Sequence, residues 1–474
     1  MKRQYSLLLL SSLLLQSQLA VAGEHQGIQI GKTIMVASND IQPAAESPFN
    51  KEQDMPMGQS SSDSKESLLP EDDGAKKDSE LFSTAGSGYL HPFLSVGEEY
   101  TDNLYDLDQD KTSNFLTRIS PGIWLSVPKV KEVPVTIAAN NTSAGGLQMA
   151  LPDYEGFERF NAYLLGALDY KMYSADSALN DTDAKAEGLF KYNLRGGLSF
   201  QALDSYTSSQ DRFDIGNASI DPVRRYKSNL GQAVADWDFS EKLRTKAEFS
   251  NFYLNYSEAI DDFLDRSDNT ASWYGFYKYS PKTSFFVQYQ YVDLSYDTNT
   301  AWDNTQDLYY AGINWASSEK TSLRMKAGYQ NKDYQEDFIQ TNTQDNNGLA
   351  LELALKYQIT VKTEISLALN HKIEESDSAV ALDKEVSSGT LHYKQQFTEK
   401  LLGVCELSVE NANYNQLQTG ERDDDRYLLR PALQYVFKDW LMAEMAYQYD
   451  TRNSTDDLFD YAANTISFSL NSGF

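Results

Sequence analysis

One cysteine, Cys405, stands among 474 residues, so no disulfide framework can form within the chain. Four histidines (His25, His91, His371 and His392) leave little for metal or acid–base chemistry. The sequence contains no HExxH, no glycine-rich phosphate loop and no Cys cluster. After the first 22 residues no apolar run reaches the roughly 18 residues that a membrane-spanning helix needs. Cations are scarce too: 41 Lys and Arg against 69 Asp and Glu, a net charge of −28. That balance argues against nucleic acid as a partner, because phosphate contacts demand Lys and Arg. Aromatics, in contrast, are plentiful, with 31 Tyr, 22 Phe and 6 Trp. A wholly disordered chain is poor in such residues. What remains is a large folded body, polar on average (mean hydropathy −0.54) and rich in aromatic rings.

The first segment reads as an address. Lys2 and Arg3 precede the apolar stretch Leu7 to Leu15, and Ala20-Val21-Ala22 supplies small residues before Gly23. This is the layout of a secretory signal peptide over 1–22. Gly23, rather than cysteine, follows the expected cut, which excludes a lipoprotein anchor there. Residues 23–87 hold 12 Asp and Glu against five Lys and Arg and few large apolar side chains. Such a segment cannot offset ordering entropy by burial, so it is expected to be a disordered acidic periplasmic arm.

From 88 to 474 the pattern changes to an alternation of period 2. Leu349, Leu351, Leu353, Leu355 and Tyr357 alternate with Ala350, Glu352, Ala354, Lys356 and Gln358. In a strand these two sets face opposite sides. Short turns are expected at Ser240-Glu241-Lys242, Ser280-Pro281-Lys282, Ser318-Glu319-Lys320, Thr360-Val361-Lys362, Thr398-Glu399-Lys400 and Lys438-Asp439. The first five lysines stand 40, 38, 42 and 38 residues apart. Longer acidic loops, Ser257 to Asp268, Asp333 to Asn346 and Gln416 to Arg426, lie between them. Short turns at one end and long loops at the other characterise a transmembrane antiparallel up-and-down β-barrel. The hairpin count predicts an all-β fold of about 18 strands, within roughly 16 to 20. Residues 129–157 could add a pair or form a periplasmic or lumenal excursion.

Two features place this barrel in a membrane. Trp124, Trp237, Trp315 and Trp440 fall close to proposed short turns, where an indole would sit at the lipid–water boundary. At the C-terminus Ile466, Phe468, Leu470 and the final Phe474 resemble the signal read by the outer-membrane insertion machinery, with Ser472 as a departure. Hydrocarbon does not accept charge cheaply, so the apolar row must face outward. Parity then assigns Arg118, Asp169, Lys191, Arg195, Arg324, Lys326, Glu352, Lys356, Glu364, Lys394, Glu406, Arg430 and Glu444 to the lumen. These charges read either as a polar pore lining or as ion pairs that rigidify the wall.

Glu98-Glu99-Tyr100-Thr101-Asp102-Asn103-Leu104 and the downstream Ile119-Ser120-Pro121-Gly122-Ile123 resemble the start of the putative β-barrel porin type 2 family. The resemblance implies an outer-membrane barrel associated with exopolysaccharide assembly and export, and no binding residues transfer with it. Physically, Asp102 and Asn103 read as turn residues and Pro121-Gly122 as a bend or bulge.

Catalytic chemistry is sparse. His392 with Ser388 is the conceivable nucleophile–base pair, but a lone lumenal histidine reads first as a lining residue, and no enzyme activity or cofactor is expected. Asp423-Asp424-Asp425 and Asp261-Asp262 read as solvated loops without EF-hand spacing. Cys405 should face lipid. The expected function is passage of an exopolysaccharide through a polar lumen. A general solute porin, or a plugged structural or adhesin barrel, is the alternative. Expected partners are outer-membrane lipid and lipopolysaccharide, the insertion machinery and periplasmic polysaccharide-export proteins.

Overall fold

A computed structural model of the protein describes residues 88–130, 159–211, 224–318, 320–334, 346–416, 422–438 and 440–473. The signal segment, the arm, Phe474 and most of 129–157 lie outside these residues. Eighteen strands form one sheet: β1 (Gly88–Thr101), β2 (Asn114–Val130), β3 (Phe160–Tyr173), β4 (Asp181–Asn193), β5 (Leu198–Asp211) and β6 (Arg224–Asp238). They continue as β7 (Leu243–Tyr256), β8 (Arg266–Ser280), β9 (Thr283–Tyr296), β10 (Asn304–Ser318), β11 (Thr321–Tyr334) and β12 (Asn346–Thr360). The last six are β13 (Thr363–Glu375), β14 (Ala381–Gln396), β15 (Leu401–Gln416), β16 (Arg422–Lys438), β17 (Leu441–Ser454) and β18 (Tyr461–Gly473). Each strand pairs antiparallel with its chain neighbours, and β1 pairs with β18, which closes the barrel.

The turn repeat has a chemical basis. Where a turn opens with Ser or Thr two residues before a lysine, that hydroxyl accepts from the lysine's backbone N–H. The distances are 3.3 Å at Ser280–Lys282, 3.2 Å at Ser318–Lys320, 3.1 Å at Thr360–Lys362 and 3.2 Å at Thr398–Lys400. A side-chain acceptor thereby replaces the ladder partner that the chain loses on reversing. Arg195 departs from its expected lumenal place: it lies exposed in the β4–β5 turn. Gly196 and Gly197 there adopt φ values of 106° and 80°, a region open to glycine, so the strand parity ends at Asn193. Asp423, Asp424 and Asp425 also depart from expectation, since they belong to β16 and not to a loop.

Burial alternates strictly along β9: Phe286, Gln288, Gln290, Val292, Leu294 and Tyr296 are buried, while Phe285, Val287, Tyr289 and Tyr291 are exposed. In a closed barrel the buried row is the inner one. The outer row ends in rings: Tyr291, Tyr309 and Tyr329 toward the long-loop end, Phe285, Trp237, Trp315 and Tyr357 toward the short-turn end, all exposed. Tyr309 and Trp315 are six residues apart on β10, or about 20 Å along the strand. These are the two aromatic girdles of a lipid-facing band. Trp124 is an exception. It points inward, 1% exposed, and stacks on His91 at 4.1 Å. Proximity to a turn does not decide which face an indole takes; the strand parity does.

Nor is the outer face free of charge, or the inner face uniformly polar. Outward Glu98 accepts from Thr117 at 2.8 Å, and outward Asp204 from Asn229 at 3.3 Å. Inside, Leu189, Leu203, Leu230 and Phe252 on successive strands β4–β7 form an apolar cluster. Strands rich in apolar residues on both faces are ambiguous to parity alone.

Candidate functional site

The family-like segment builds the closure of the barrel. The backbone N–H of Asp102 donates to Asn464 O at 3.1 Å. Its carboxylate accepts from the Asn464 backbone N–H at 2.7 Å and from Asn464 Nδ2 at 2.8 Å. Buried Asn103 donates through Nδ2 to Leu107 O at 2.7 Å and Ala462 O at 3.1 Å, and its Oδ1 accepts from Leu107 N at 3.0 Å. Thr101 turns inward, and Tyr100 faces outward against Phe115. Inward Glu99 neighbours this clasp. The second half is also structural. Ser120 donates to Asp169 at 2.7 Å, and Gly122 leaves room for the Phe93 ring, whose Cζ lies 2.1 Å from where a Cβ would stand. The β2–β3 pairing skips Ser120 and Pro121, because proline has no N–H to donate. An Asp102→Ala variant should lose about 1.5–3 kcal/mol, the range for hydrogen bonds to a charged group. Thermal unfolding in detergent checks this; an unchanged melting temperature would make the clasp incidental.

The inner charges do not stand as isolated points. Lys326 pairs with Glu352 at 2.8 Å and donates to Gln288 at 3.1 Å. Lys356 pairs with Glu364 at 3.1 Å, and Arg430 with Glu444 at 2.9 Å. His392 lies 3.8 Å from Glu406, and Arg118 3.7 Å from Asp169. Arg324 sits over the Phe286 ring at 5.6 Å. Lys191 and Lys394 share the inward parity of their strands. Ser388 donates to Asn370 O at 3.5 Å and is not joined to His392. Ile466, Phe468 and Leu470 form the exposed outer row of β18, and Cys405 keeps the outward parity of β15.

The most elaborate inner feature escaped the parity reading. The β12–β13 ladder runs from Thr360–Thr363 to Leu351–His371 and stops there. The neighbouring ladders continue, β11–β12 to Lys332–Asn346 and β13–β14 to Glu375–Asp383. Above His371 the Ile373 backbone instead meets the inward side chain of Gln330 on β11. Gln330 Nε2 donates to Ile373 O at 2.9 Å, and Ile373 N donates to Gln330 Oε1 at 3.0 Å. Gln330 is 1% exposed, so β13 here has passed inside β12. The β13–β14 hairpin thereby enters the lumen.

Its outward side docks on the inner wall. Glu375 accepts from Lys332 at 2.7 Å, Tyr296 at 2.9 Å and Gln306 at 2.9 Å. Asp383 accepts from Asn346 at 2.9 Å and from Tyr334. Leu382 packs among Leu294, Tyr296 and Trp302. At the tip, Asp377 accepts from Tyr414 and Lys384, each at 3.2 Å, while its carbonyl accepts from Arg224 of β6 at 3.3 Å. Partial desolvation in the mouth works against the Asp377 charge, but Lys384, Arg422 and Arg224 outweigh it and hold this carboxyl well below the usual range. By parity Ile373 and Glu375 belong to the lipid row of β13. Charges that continue lipid-facing rows, Glu375 on β13 and Asp383 on β14, are the sequence signal of this departure.

Among the described residues no group of His, Cys, Asp and Glu is placed to hold a metal ion. The geometry is that of a closed barrel with a charged inner wall and a hairpin across its long-loop mouth.

Comparison with solved structures gives barrels of low similarity. A BenF-like porin from Pseudomonas fluorescens Pf-5 is 9% identical, with a TM-score of 0.43 over 82% of this chain and 100% of that one. OpdK from Pseudomonas aeruginosa, solved with vanillate, is 10% identical, with a TM-score of 0.42 over 81% and 99%. Acinetobacter baumannii OccAB4 is 12% identical, with a TM-score of 0.42 over 82% and 99%. Such scores carry nothing about cargo. No curated protein matches the chain significantly. The family described as "Putative beta-barrel porin 2" matches residues 155–473. That span begins after the Glu99–Gly122 segment, so the kinship rests on β3 to β18 and not on the early motif. A match over two thirds of the sequence, on a closed 18-stranded barrel with girdled outer and charged inner faces, makes this chain a member of that porin family, with the porin-like outer-membrane channel architecture.

Proposed function

We propose that the barrel conducts an extended polysaccharide strand outward across the bacterial outer membrane. The supporting observation is the inner wall, which carries charges of both signs and many amides, such as Gln288, Gln290, Gln306 and Gln330. Paired charges and amides can exchange hydrogen bonds with a hydroxyl-rich chain without holding it by net attraction. The hairpin across the mouth favours a single extended strand over a folded cargo. In this reading the short turns face the periplasm, where export proteins would meet the barrel, and passage requires no catalytic step.

The same hairpin favours a second reading, a channel for small solutes. Single-channel recording in planar bilayers separates the two. A polysaccharide channel gives open-state current that the producing strain's own polysaccharide interrupts, and deletion of the gene removes that polymer from the cell surface. Conductance without interruption, together with unchanged surface polymer, would leave the solute channel. Absence of any conductance would exclude both.

A further inference from the structure

His371 is the last residue of β13 before that strand passes inside β12. It faces outward, and two side chains meet its ring. Its Nδ1 lies 2.8 Å from Ser387 Oγ, and its Nε2 lies 3.2 Å from Glu385 Oε1. With the proton on Nε2, the ring accepts the Ser387 hydroxyl at Nδ1 and holds its N–H edge at ion-pair distance from the Glu385 carboxylate. A serine, a base and an acid that orients the base are the parts of a nucleophilic hydrolase site.

The position suits an ester held in a membrane. The hydrogen-bonded row through His371 reads Ala311, Ala327, Leu351, His371, Ser387, Asn411, Asp425. It is apolar on one side of the histidine and polar on the other. The row above, on β10 to β12, is the girdle Tyr309, Tyr329, Leu349. The trio therefore stands at the boundary of the lipid-facing band, on the long-loop side. Below Ser387 on the same face comes Gly389, between Leu369 and Val409. The flanking Leu369 and Val409 offer an acyl chain an apolar surface beside the serine. Asn411, opposite Ser387, donates one amide hydrogen to Asp425 at 3.0 Å and carries a second amide hydrogen beside the serine.

We propose that Ser387, His371 and Glu385 form an outward-facing acyl-ester hydrolase site acting on fatty-acyl esters of the surrounding leaflet. Ser387 Oγ attacks the ester carbonyl carbon while its proton passes to His371 Nδ1. The C–O bond to the alcohol then breaks, and that proton goes to the leaving oxygen. Water attacks the acyl-serine, giving one proton to His371, and the fatty acid leaves as Ser387 recovers its hydrogen. Ester and water become acid and alcohol, and no further reactant is needed. Glu385 is a positioning residue for the histidine.

The test uses the full-length barrel in detergent micelles, with heat-modifiable gel mobility as proof of folding. A fluorophosphonate probe should label the wild type and not Ser387→Ala. Ser388→Ala, which alters the inward neighbour, should label normally. Released fatty acid is measured with phosphatidylethanolamine in one arm and lipopolysaccharide in the other, which identifies the source of the ester. Loss of at least a hundredfold is expected for Ser387→Ala and His371→Ala. Glu385→Gln should lower the rate and shift its pH profile, which a merely structural role would not do. Folded wild type that neither takes the label nor releases fatty acid in either arm, or labelling that persists in Ser387→Ala, would overturn the assignment.

Discussion

Replacing Glu375 by alanine should raise single-channel conductance and make the open current noisier. Glu375 is the point on which Lys332, Tyr296 and Gln306 converge, and its side chain is 3% exposed. Lys332 is wholly buried and would keep Asp383, at 3.9 Å, and the face of the Tyr334 ring, at 5.1 Å. Breaking a buried ion pair from one side costs about 3–5 kcal/mol, because the remaining charge is left without its partner. The strand ladders β10–β11, β13–β14 and β14–β15 do not depend on this carboxylate. The penalty therefore falls on the docking of the hairpin and not on the barrel wall. Release of the hairpin relieves that penalty by letting water reach Lys332. Glu375→Gln, which keeps the shape and some acceptance but loses the charge, should lie between. Planar bilayer recording measures both. Should conductance stay at the wild-type value while the melting temperature falls, the hairpin would be a structural strut and not the constriction.

The second large effect concerns the wall itself. Gly328→Ala should prevent a heat-stable barrel from forming. A Cβ there would stand 1.9 Å from the carbonyl oxygen of Tyr309 and 2.8 Å from its carbonyl carbon. These are backbone atoms of the adjacent strand, so no rotamer change removes the clash. Overpacking among side chains costs typically about 1–3 kcal/mol, and a backbone that cannot yield puts this site above that range. Gly166→Ala is the matched control, since nothing lies within 4 Å of its added Cβ. The yield of heat-modifiable protein after refolding compares the two. Equal yields would mean that β10 and β11 can separate without cost.

Both effects arise from contacts that sequence spacing does not record. Strand parity placed Lys326, Glu352, Lys356, Glu364, Arg430 and Glu444 on one face, and the pairs they make lie there. Such pairs join residues on neighbouring strands, where the register follows from turn length. Glu375 obeys the same parity and yet is buried, because the wall overlaps itself at that point. The histidine pair shows the same limit. Ser388 and His392 share a face four residues apart on one strand, whereas the observed contact joins Ser387 to His371 across two strands.

Alternation and turn spacing put the strand count near 18, within roughly 16 to 20, and located the short turns and the face of most side chains. Alternation of period 2 and the Ser/Thr-x-Lys turns are local properties, carried by residues within a few positions of one another. It took the folded barrel to show that the Trp124 ring stacks on His91, that Asp102 and Asn103 clasp the last strand, and that β13 passes inside β12 to cross the mouth. Each of those depends on residues distant in the chain that meet only when the sheet closes. Closure sets which strand ends overlap, and no local pattern records that overlap.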